Sequence, residues 1–506
     1  MIELRRQFLR NLVLPGAAML SKTRFLSHYR EMRALERRPR ADTLAVQRRR
    51  LAALLASMQS MPHWRGVLQE RGMGPESLTA DVTVGQLLAR LPVMDKAQLR
   101  GGIHDMVREG ENREGWQFTN SSGTTERVTI VHDFARRDFM RATQMRAYRI
   151  ATGLDVGSSS VEIPPDSCNI LCGFEDPGPE ELIPYVRYAM KKRNLFEPTT
   201  IANLRGRFER RVMYAQTTLM PIDPAALDAL LQVLDERLDE TARHAPMVLR
   251  GLPHFLLWMT ERAAARGLKL PSVKVILPYG GLMSPVMARR CEQALGAPFR
   301  DIYGTSELGI MAVACEHGHL HVFEDLYCIE VLDEAGAAAA DGRIGELAIT
   351  DLTNHAMPVV RYRVGDMGSI EFGRCACGRE GQTLVLHGRS AECLRLDGVE
   401  PLPARELDDI VFSDRGVWNF RLDQRTRNGF ELTLVPAPDA EPDTAALAAA
   451  VQARLKLDKP PRVRVRPYIR PEGSGKYRAA APRGSAAPSS DETTTPLAVS
   501  GHETAH

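Results

Sequence analysis

The stretch Phe118-Thr119-Asn120-Ser121-Ser122-Gly123-Thr124-Thr125-Glu126-Arg127 decides how the rest of the chain is interpreted. It places four hydroxyl side chains around Gly123, and the β-prone run Val128-Thr129-Ile130-Val131 follows it. The order predicts a strand, a hydroxyl-rich loop and a second strand. Gly123 allows a tight turn in which backbone amides approach an anion, and the hydroxyls can donate hydrogen bonds to phosphate oxygens. A solvated hairpin turn is the competing interpretation, because Ser/Thr/Gly clusters are usually turns.

The composition of the 506-residue chain indicates a globular protein with more than one domain. Hydrophobic residues make up 44% and charged residues 25%, which is ordinary for soluble domains. A net charge of +3 is too small to favour nucleic acid or a membrane surface as a partner. Eight cysteines in a chain of this length do not indicate a disulfide scaffold. Because we find neither a membrane-spanning apolar run nor a secretory signal, we expect a cytoplasmic protein.

Outward from the opening stretch, the chain alternates helical and strand patterns. Residues 1–110 are predicted to be a largely helical region, and Asp133 to Arg149 a helix behind the loop. Residues 155–190 are rich in Gly, Ser and Pro and are predicted to be irregular. Val273 to Leu277 is nearly all apolar, which is typical of a strand buried on both faces. The β-α-β rhythm from about residue 223 predicts a doubly wound α/β sheet that binds ligands at the carboxyl ends of its strands.

The pattern changes again toward the end of the chain. Beyond about residue 320 it becomes strands and turns, followed by a small α+β unit. We therefore predict a large N-terminal domain of β-sheets layered with helices, whose core spans residues 111–388, and a small C-terminal domain at 389–480. Residues 481–506 are Ser, Thr, Pro and Ala without periodicity, which predicts disorder.

A second stretch with candidate chemistry is Asp301-Ile302-Tyr303-Gly304-Thr305-Ser306-Glu307. The tyrosine face can stack on a purine, and Gly304 lets a ligand come close to the backbone. Glu307 can hold a magnesium ion that bridges phosphates, because hard cations prefer oxygen ligands. An ordinary strand-to-helix turn explains the same stretch, with Glu307 placed favourably in the first turn of a helix.

Three further stretches complete the set. Arg361-Tyr362-Arg363-Val364-Gly365-Asp366 puts a carboxylate directly after a glycine, where it can accept hydrogen bonds from ribose hydroxyls or form a turn. Gly388-Arg389 follows, and Gly473-Ser474-Gly475-Lys476 then places a lysine on a glycine loop. The last stretch is not a Walker A sequence, because Arg470 and Tyr477 occupy the positions of its first glycine and its Ser/Thr.

Together these five motifs occur in the order and approximate spacing of the acyl-adenylate-forming (AMP-binding) enzymes. Over about residues 50–480 the chain resembles the phenylacetate–CoA ligase and capsule-biosynthesis branch of that superfamily. The resemblance implies an AMP-forming carboxylate ligase that uses ATP and Mg²⁺ to convert a small carboxylic acid to its acyl-adenylate, releasing pyrophosphate. Transfer to the thiol of CoA would follow. A carrier protein or an amine is an alternative acceptor, and a non-catalytic nucleotide-binding homologue is the alternative to an enzyme. The oligomeric state stays open, with a homodimer as one alternative.

The resemblance also implies roles for individual residues. The small C-terminal domain would be mobile, bringing its lysine to the site for adenylation and then rotating away. The implied assignments are Ser121, Ser122, Gly123, Thr124, Thr125 and Arg127 for the β- and γ-phosphates; Tyr303, Gly304 and Asp301 for adenine; Asp366 and Arg389 for ribose; Glu307 for magnesium; Lys476 for the substrate carboxylate and α-phosphate; Gly280 and Gly281 for the floor of the acyl pocket; and Thr305 as a further catalytic candidate beside Glu307 and Lys476.

The chain departs from the pattern of the superfamily at three positions. Glu126-Arg127-Val128 stands where relatives usually have Gly-Lys-Pro, so a negative charge would lie near the phosphates. Ala391 stands where the hinge is usually Asp or Lys, which puts the domain rotation and the thioester step in question. Leu282 stands where relatives often have a glutamate, which suggests a different acyl pocket.

A separate set of residues predicts a metal site. Cys315, His321, Cys375 and Cys377 form a group whose thiolate and imidazole ligands fit a closed tetrahedral zinc site. Cysteine-rich members of the same branch carry a similar set. His317 and His319 compete as ligands, and buried inert cysteines are the competing interpretation. Cys328 and Cys393 are predicted to be core residues.

Overall fold

The computed structural model describes residues 11–12, 15–16, 23–36, 38–101, 105–107, 117–120, 128–154, 158–164, 217–220, 222, 229–472 and 475–484. Within these residues the chain is α/β, with two clusters of buried apolar side chains. The first cluster joins the N-terminal helices to a large antiparallel sheet. The second joins a parallel sheet to the C-terminal unit. None of the described helices is both long and apolar enough to cross a bilayer.

The N-terminal region is helical, as the sequence predicts. Asp95 begins the last helix of this region with a reciprocal cap, in which Gln98 N donates to Asp95 Oδ1 and Asp95 N donates to Gln98 Oε1, both at 2.8 Å. The helices are α1 (Phe25–Leu35), α2 (Arg40–Met58), α3 (Pro62–Glu70), α4 (Val84–Leu88) and α5 (Lys96–Gly101), with a 3₁₀ turn at Pro75–Ser77.

The hydroxyl-rich stretch lies between two paired strands, which confirms the strands predicted on either side of it. β1 (Gln117–Asn120) pairs antiparallel with β2 (Thr129–His132), and Asn120 lies opposite Thr129. Helix α6 (Phe134–Thr152) follows at once, as predicted. Asp133 caps it by accepting a hydrogen bond from Arg136 N at 2.7 Å, and Gly153 ends it in the left-handed conformation.

The parallel sheet has the order β4-β3-β5-β6 and alternates with helices. Its elements confirm the predicted α/β rhythm. They are β3 (Ser160–Ile163), β4 (Thr217–Leu219), α7 (Leu230–His244), β5 (Val248–Gly251), α8 (Pro253–Ala265), β6 (Val275–Pro278) and α9 (Pro285–Leu295).

Strand β3 corrects the prediction that residues 155–190 are irregular. The strand is short, and its third residue, Glu162, is charged, so the sequence shows no apolar run there. Glu162 is nevertheless 1% exposed, and its carboxylate pairs with Arg250 Nη1 of β5 at 3.0 Å. The ion pair satisfies a charge that burial would otherwise penalise. Residues 165–190 lie outside the described part of the chain.

The large antiparallel sheet has the order β10-β11-β12-β13-β9-β8-β7. It contains the strands that the sequence predicts beyond residue 320, together with the two strands before them. The strands are β7 (Ile302–Thr305), β8 (Gly309–Ala314), β9 (Leu320–Val322), β10 (Tyr327–Leu332), β11 (Gly345–Asp351), β12 (Tyr362–Arg374) and β13 (Glu380–Arg389).

A short 3₁₀ turn, Ser390–Glu392, leads into the C-terminal α+β unit. Its sheet has the order β16-β15-β14-β17, and Ala480–Ala481 closes one edge. Disorder is predicted from residue 481, which is wrong for Ala481, a buried residue of this edge strand. Residues 485–506 lie outside the described part. The elements of the unit are α10 (Ala404–Val411), β14 (Val417–Gln424), β15 (Phe430–Pro436), α11 (Thr444–Leu455), β16 (Arg462–Val465) and β17 (Ala480–Ala481).

The C-terminal unit packs on helices α8 and α9 through buried aromatic and charged groups. Trp258 of α8 and Trp418 of β14 have ring centroids 6.2 Å apart, and Trp258 Nε1 donates to the Trp418 carbonyl at 2.9 Å. Arg290 of α9 is 4% exposed, and its Nε lies 2.7 Å from Glu261 Oε1. The Arg290 guanidinium also donates to the main-chain carbonyls of Phe412, Arg415 and Val417 in the C-terminal unit.

We predict that Arg290→Met lowers the free energy of unfolding by about 3 kcal/mol, the usual cost of breaking a buried ion pair from one side. The carbonyls of the C-terminal unit would also lose a buried donor. Urea unfolding followed by tryptophan fluorescence measures the change. The neighbouring Arg289 is exposed, so Arg289→Met is the control and should unfold like the wild type. Equal midpoints for the two variants would contradict the proposed contact.

Candidate active site

The two residues predicted for ribose lie opposite each other on adjacent strands. Asp366 of β12 and Arg389 of β13 are partners in the strand register, and Arg389 Nη1 lies 3.1 Å from Asp366 Oδ1. The other oxygen, Oδ2, accepts a hydrogen bond from Tyr303 Oη at 2.9 Å. Gly365 has a φ of +81°, a conformation that favours glycine directly before the carboxylate. The structure thus brings Tyr303, one of the residues predicted for the base, together with the two residues predicted for the ribose.

Burial and the nearby Asp366 carboxylate raise the pKa of the Tyr303 hydroxyl well above its usual value. Tyr303 therefore stays a neutral hydrogen-bond donor to Asp366 at any physiological pH. The ring is 6% exposed. The Arg389 side chain is 45% exposed, so the ion pair opens to solvent on the arginine side.

The turn between β7 and β8 holds the other residues of the second stretch. Thr305 Oγ1 accepts a hydrogen bond from Leu308 N at 3.2 Å, which closes the turn around the buried Glu307. Asp301 Oδ1 accepts from Ile302 N at 2.8 Å, and burial raises the pKa of this carboxyl to about 6. The observed contact of Thr305 is with the backbone of its own turn; its catalytic role stays a prediction.

Gly304 is a steric requirement of the same turn. A Cβ built on Gly304 would lie 2.7 Å from the Gly309 carbonyl oxygen and 3.1 Å from Ile310 Cα. Both of these atoms belong to β8, the strand paired with β7, so neither can move without disturbing the sheet. Gly304 is also exposed, so a ligand can approach its backbone closely.

Lys476 reaches the site from the C-terminal unit. A Cβ built on Gly280 would lie 3.5 Å from Lys476 Cε and 4.0 Å from Nζ. Burial and the Arg389 charge lower the pKa of the lysine, while the carboxylates of Asp366 and Glu307 act in the opposite direction. The ammonium group thus interacts electrostatically with residues from three other parts of the chain. Gly473 and Ser474, which precede it in the glycine loop, lie outside the described residues.

The residue after the lysine fixes the position of this segment. The Tyr477 ring lies 4.7 Å from the His254 ring, centroid to centroid, in the first turn of α8. Gly281 lies against the same turn, since a Cβ on Gly281 would be 3.2 Å from Pro253 Cγ and Cδ. The predicted floor of the acyl pocket and the predicted catalytic lysine therefore meet at the start of α8.

Some predicted site residues cannot be placed. Ser121, Ser122, Gly123, Thr124, Thr125 and Arg127 lie outside the described residues, as does Glu126. Sequence reasoning also missed a residue that the structure links to this site. Arg136 of α6 donates to the Leu308 carbonyl, directly after Glu307. Its only sequence signal was its position in the helix that follows the hydroxyl-rich stretch.

The predicted metal ligands converge at a second place. The donor atoms of Cys315, His321, Cys375 and Cys377 all lie within 4.8 Å of one another. Cys315 Sγ is 3.8 Å from Cys375 Sγ, and Cys377 Sγ is 3.3 Å from His321 Nε2. His317 and His319 are exposed and do not belong to the group found among the described residues. Cys328 and Cys393 are buried core residues, as predicted.

Two similar turns present these ligands. Gly318 N donates to the Cys315 carbonyl and Gly378 N to the Cys375 carbonyl, both at 2.9 Å, and each glycine has a positive φ. His321 of β9 lies opposite Thr383 of β13, which holds the two turns side by side. Burial and the Arg379 charge lower the pKa of His321 to about 4, so the imidazole is neutral, as a metal ligand must be.

Comparison with known proteins finds relatives that share one name. The chain is 25% identical over 384 residues to the phenylacetate–coenzyme A ligase of Thermus thermophilus, covering 73% of this chain and 76% of the relative. It is 24% identical over 395 residues to the enzyme of the same name from Aromatoleum evansii, covering 75% and 78%. The chain is therefore similar to phenylacetate–coenzyme A ligases over about three quarters of its length. A shorter match to the Escherichia coli ligase has 34% identity over 130 residues, covering 25% of this chain and 29% of the relative.

Solved structures of CoA ligases share the fold of this chain. A 2-hydroxyisobutyryl-CoA ligase in the postadenylation state with R3-HIB-AMP superposes with a TM-score of 0.65 at 19% identity, covering 88% of this chain and 91% of that one. The same ligase in the thioesterification state gives a TM-score of 0.52 at 20% identity, covering 88% and 91%. The chain therefore has the fold of this CoA ligase. No family model matches the chain.

We predict that Gly304→Ala destabilises the fold by about 1–3 kcal/mol, because the added methyl group overlaps the backbone of β8. Thermal unfolding of the purified variant measures the effect. Gly373→Ala is the matched control, since Gly373 is also a strand glycine and a Cβ built on it would have no atom within 4 Å. An unchanged melting temperature for Gly304→Ala would contradict this steric overlap.

Proposed function

We propose that the protein activates a small carboxylic acid as its acyl-adenylate with ATP, releases pyrophosphate, and then transfers the acyl group to the thiol of CoA. One observation carries the proposal: Lys476 from the C-terminal unit lies against Gly280, in the electrostatic field of Asp366, Glu307 and Arg389. The homology to phenylacetate–coenzyme A ligases supports the same reaction. An aromatic acid such as phenylacetate is the first substrate to test.

Adenylation joins two anions. A carboxylate oxygen of the substrate forms a bond to the α-phosphorus of ATP, and the bond from that phosphorus to pyrophosphate breaks. Lys476 neutralises both partners as they approach, and its fixed position stabilises the charge that develops in the transition state. Glu307, a buried carboxylate, is the hard oxygen ligand that a magnesium ion prefers; the ion would neutralise phosphate charge. In the second step the CoA sulfur bonds to the acyl carbon, and the bond from that carbon to AMP breaks.

Asp366 is suited to hold the ribose. Its oxygens are oriented by Tyr303 and Arg389, and each carboxylate oxygen keeps a further lone pair that can accept from a ribose hydroxyl. Arg389 is half-exposed and can shift toward the nucleotide without losing the ion pair. In this proposal Tyr303 presents its ring to the adenine while its hydroxyl fixes the ribose ligand. The hydroxyl-rich stretch Ser121–Thr125 with Arg127 supplies the remaining phosphate contacts.

Exchange of labelled pyrophosphate into ATP tests the proposal, because it reports adenylation alone. We predict exchange that depends on an added carboxylic acid and that falls by about 10²-fold or more in Lys476→Ala, as for the loss of a residue that stabilises the transition state. The matched control is Lys459→Ala, an exposed lysine of the same unit, which should keep wild-type exchange. Lys476→Ala should still convert supplied acyl-adenylate and CoA to the thioester.

Three results would contradict the proposal or one of its parts. Absence of exchange across a broad panel of acids that includes phenylacetate would favour a non-catalytic nucleotide-binding homologue. Exchange without a CoA thioester, detected by mass, would favour a carrier protein or an amine as the acceptor. Equal exchange in Lys476→Ala and Lys459→Ala would show that Lys476 takes no part in adenylation.

We also propose that Cys315, His321, Cys375 and Cys377 hold a structural zinc ion. The donor set is three cysteine sulfurs and one imidazole nitrogen, which suits zinc in a closed site. The separation of 3.8 Å between Cys315 Sγ and Cys375 Sγ matches the edge of a tetrahedron built on zinc–sulfur bonds of about 2.3 Å. The ion would join the β8–β9 hairpin to the β12–β13 hairpin.

We predict about one zinc ion per purified chain, the stoichiometry of a closed four-ligand site. His321→Ala should lose the metal and melt at a lower temperature, because metal binding contributes to folding free energy. His319→Ala alters an exposed histidine of the same hairpin and should keep the metal. Elemental analysis by mass spectrometry measures the content. Wild-type protein that is folded and free of metal after growth in zinc would refute the assignment.

A further inference from the structure

Arg136 is a buried cation that the proposed reaction does not use. It belongs to the first turn of α6, and its side chain is 1% exposed. The guanidinium donates to the Leu308 carbonyl and, at 3.0 Å, to Tyr327 Oη. Its Nε lies 2.7 Å from Asp351 Oδ2. A charge buried this deeply requires partners on several sides, and all of these partners lie on or beside the β7–β8 turn.

The Leu308 carbonyl is held from two directions. Tyr327 Oη donates to it at 2.6 Å, in addition to the arginine. Burial raises the pKa of Tyr327 to about 12, so its hydroxyl keeps the proton that it donates. Asp351 is fixed in turn, because its Oδ1 accepts hydrogen bonds from the backbone N and the hydroxyl of Thr353 at 2.9 and 2.7 Å. These bonds fix the peptide between Leu308 and Gly309, which is the second peptide after Glu307.

The other groups around Glu307 are fixed as well. The Leu308 amide donates to Thr305 Oγ1 at 3.2 Å, so both polar groups of this residue are held. Gly309 has a φ of +79°, and a Cβ built on it would lie 3.5 Å from Met140 Cε and 3.8 Å from Arg136 Nη2. Helix α6 therefore packs directly beneath the turn, and the Glu307 backbone has little freedom to rotate.

We propose that Arg136 is a positioning residue for the Glu307 carboxylate and thereby sets how tightly the site binds the divalent cation that accompanies ATP. The inference rests on the proposed function, which places the cation at Glu307. A guanidinium suits this role better than an ammonium, because its planar fork contacts Asp351, Tyr327 and the carbonyl at fixed angles. Since α6 begins directly after β2, one helix would connect this strand to the cation ligand.

The test compares Arg136→Lys with Arg146→Lys. Arg146 lies on the same helix, is 7% exposed, and pairs with Asp325 Oδ1 at 2.7 Å, so it matches the position, burial and charge but not the contact with the turn. Binding of Mn²⁺ to the protein–ATP complex, measured by electron paramagnetic resonance, is the first readout. Arg136→Lys should weaken it about tenfold, the effect of losing a hydrogen bond to a charged group. Arg146→Lys should bind Mn²⁺ like the wild type, and binding of ATP without metal should be unchanged in both variants.

The second readout is the Mg²⁺ dependence of pyrophosphate exchange. Arg136→Lys should need more Mg²⁺ for half-maximal rate and approach the wild-type rate at saturation, whereas a loss of folding would lower the rate at every concentration. Tyr327→Phe removes the other donor to the carbonyl and should give a smaller shift in the same direction. Equal Mn²⁺ affinity in Arg136→Lys and Arg146→Lys would overturn the inference. Wild-type protein that binds Mn²⁺–ATP but shows no exchange with any acid would instead contradict the proposed function.

Discussion

The site depends on the packing of the C-terminal unit against helices α8 and α9. The Trp258–Trp418 pair and the hydrogen bonds from Arg290 to the carbonyls of Phe412 and Val417 hold β14 and the end of α10 against these helices. The same surface continues through His254 to Tyr477, the residue next to Lys476. Holding a lysine at the site from a flexible segment would cost conformational entropy. Here the buried contacts fix the segment that carries Lys476, and its side chain lies beside Gly280.

Asp366 connects the other parts of the site. It stands on β12, receives Tyr303 from β7 and pairs with Arg389 on β13, so one carboxylate links three strands of the same sheet. Below it, Arg136 and Asp351 fix the β7–β8 turn from the side of α6. The arrangement is rigid where charges must be placed accurately, which is the condition for electrostatic stabilisation of a transition state.

Much of this could be predicted from the sequence, because glycines and charged residues at the ends of strands leave a local signal. Asp366, Tyr303 and Lys476 were predicted from short motifs and lie in one region of the structure. The Cys/His set was predicted in the same way and converges at a second place. Arg136 and strand β3 could not be predicted in the same way. Arg136 contacts a carbonyl that is 172 residues away in the sequence. Glu162 interrupts the apolar pattern of β3, and the partner that allows its burial, Arg250, lies on another strand. Long-range pairs of this kind have no local pattern.

The apolar part of the contact between the two units has a thermodynamic consequence. Trp258, Phe412 and Trp418 are each no more than 5% exposed, and all belong to one cluster shared by the large domain and the C-terminal unit. Any movement that carries Lys476 away from Gly280 with its unit must bring part of this surface into water. Exposure of apolar surface raises the heat capacity. The free-energy difference between the packed and the separated arrangement therefore varies non-linearly with temperature. The temperature at which the enzyme works would then help to decide how long the lysine stays at the site.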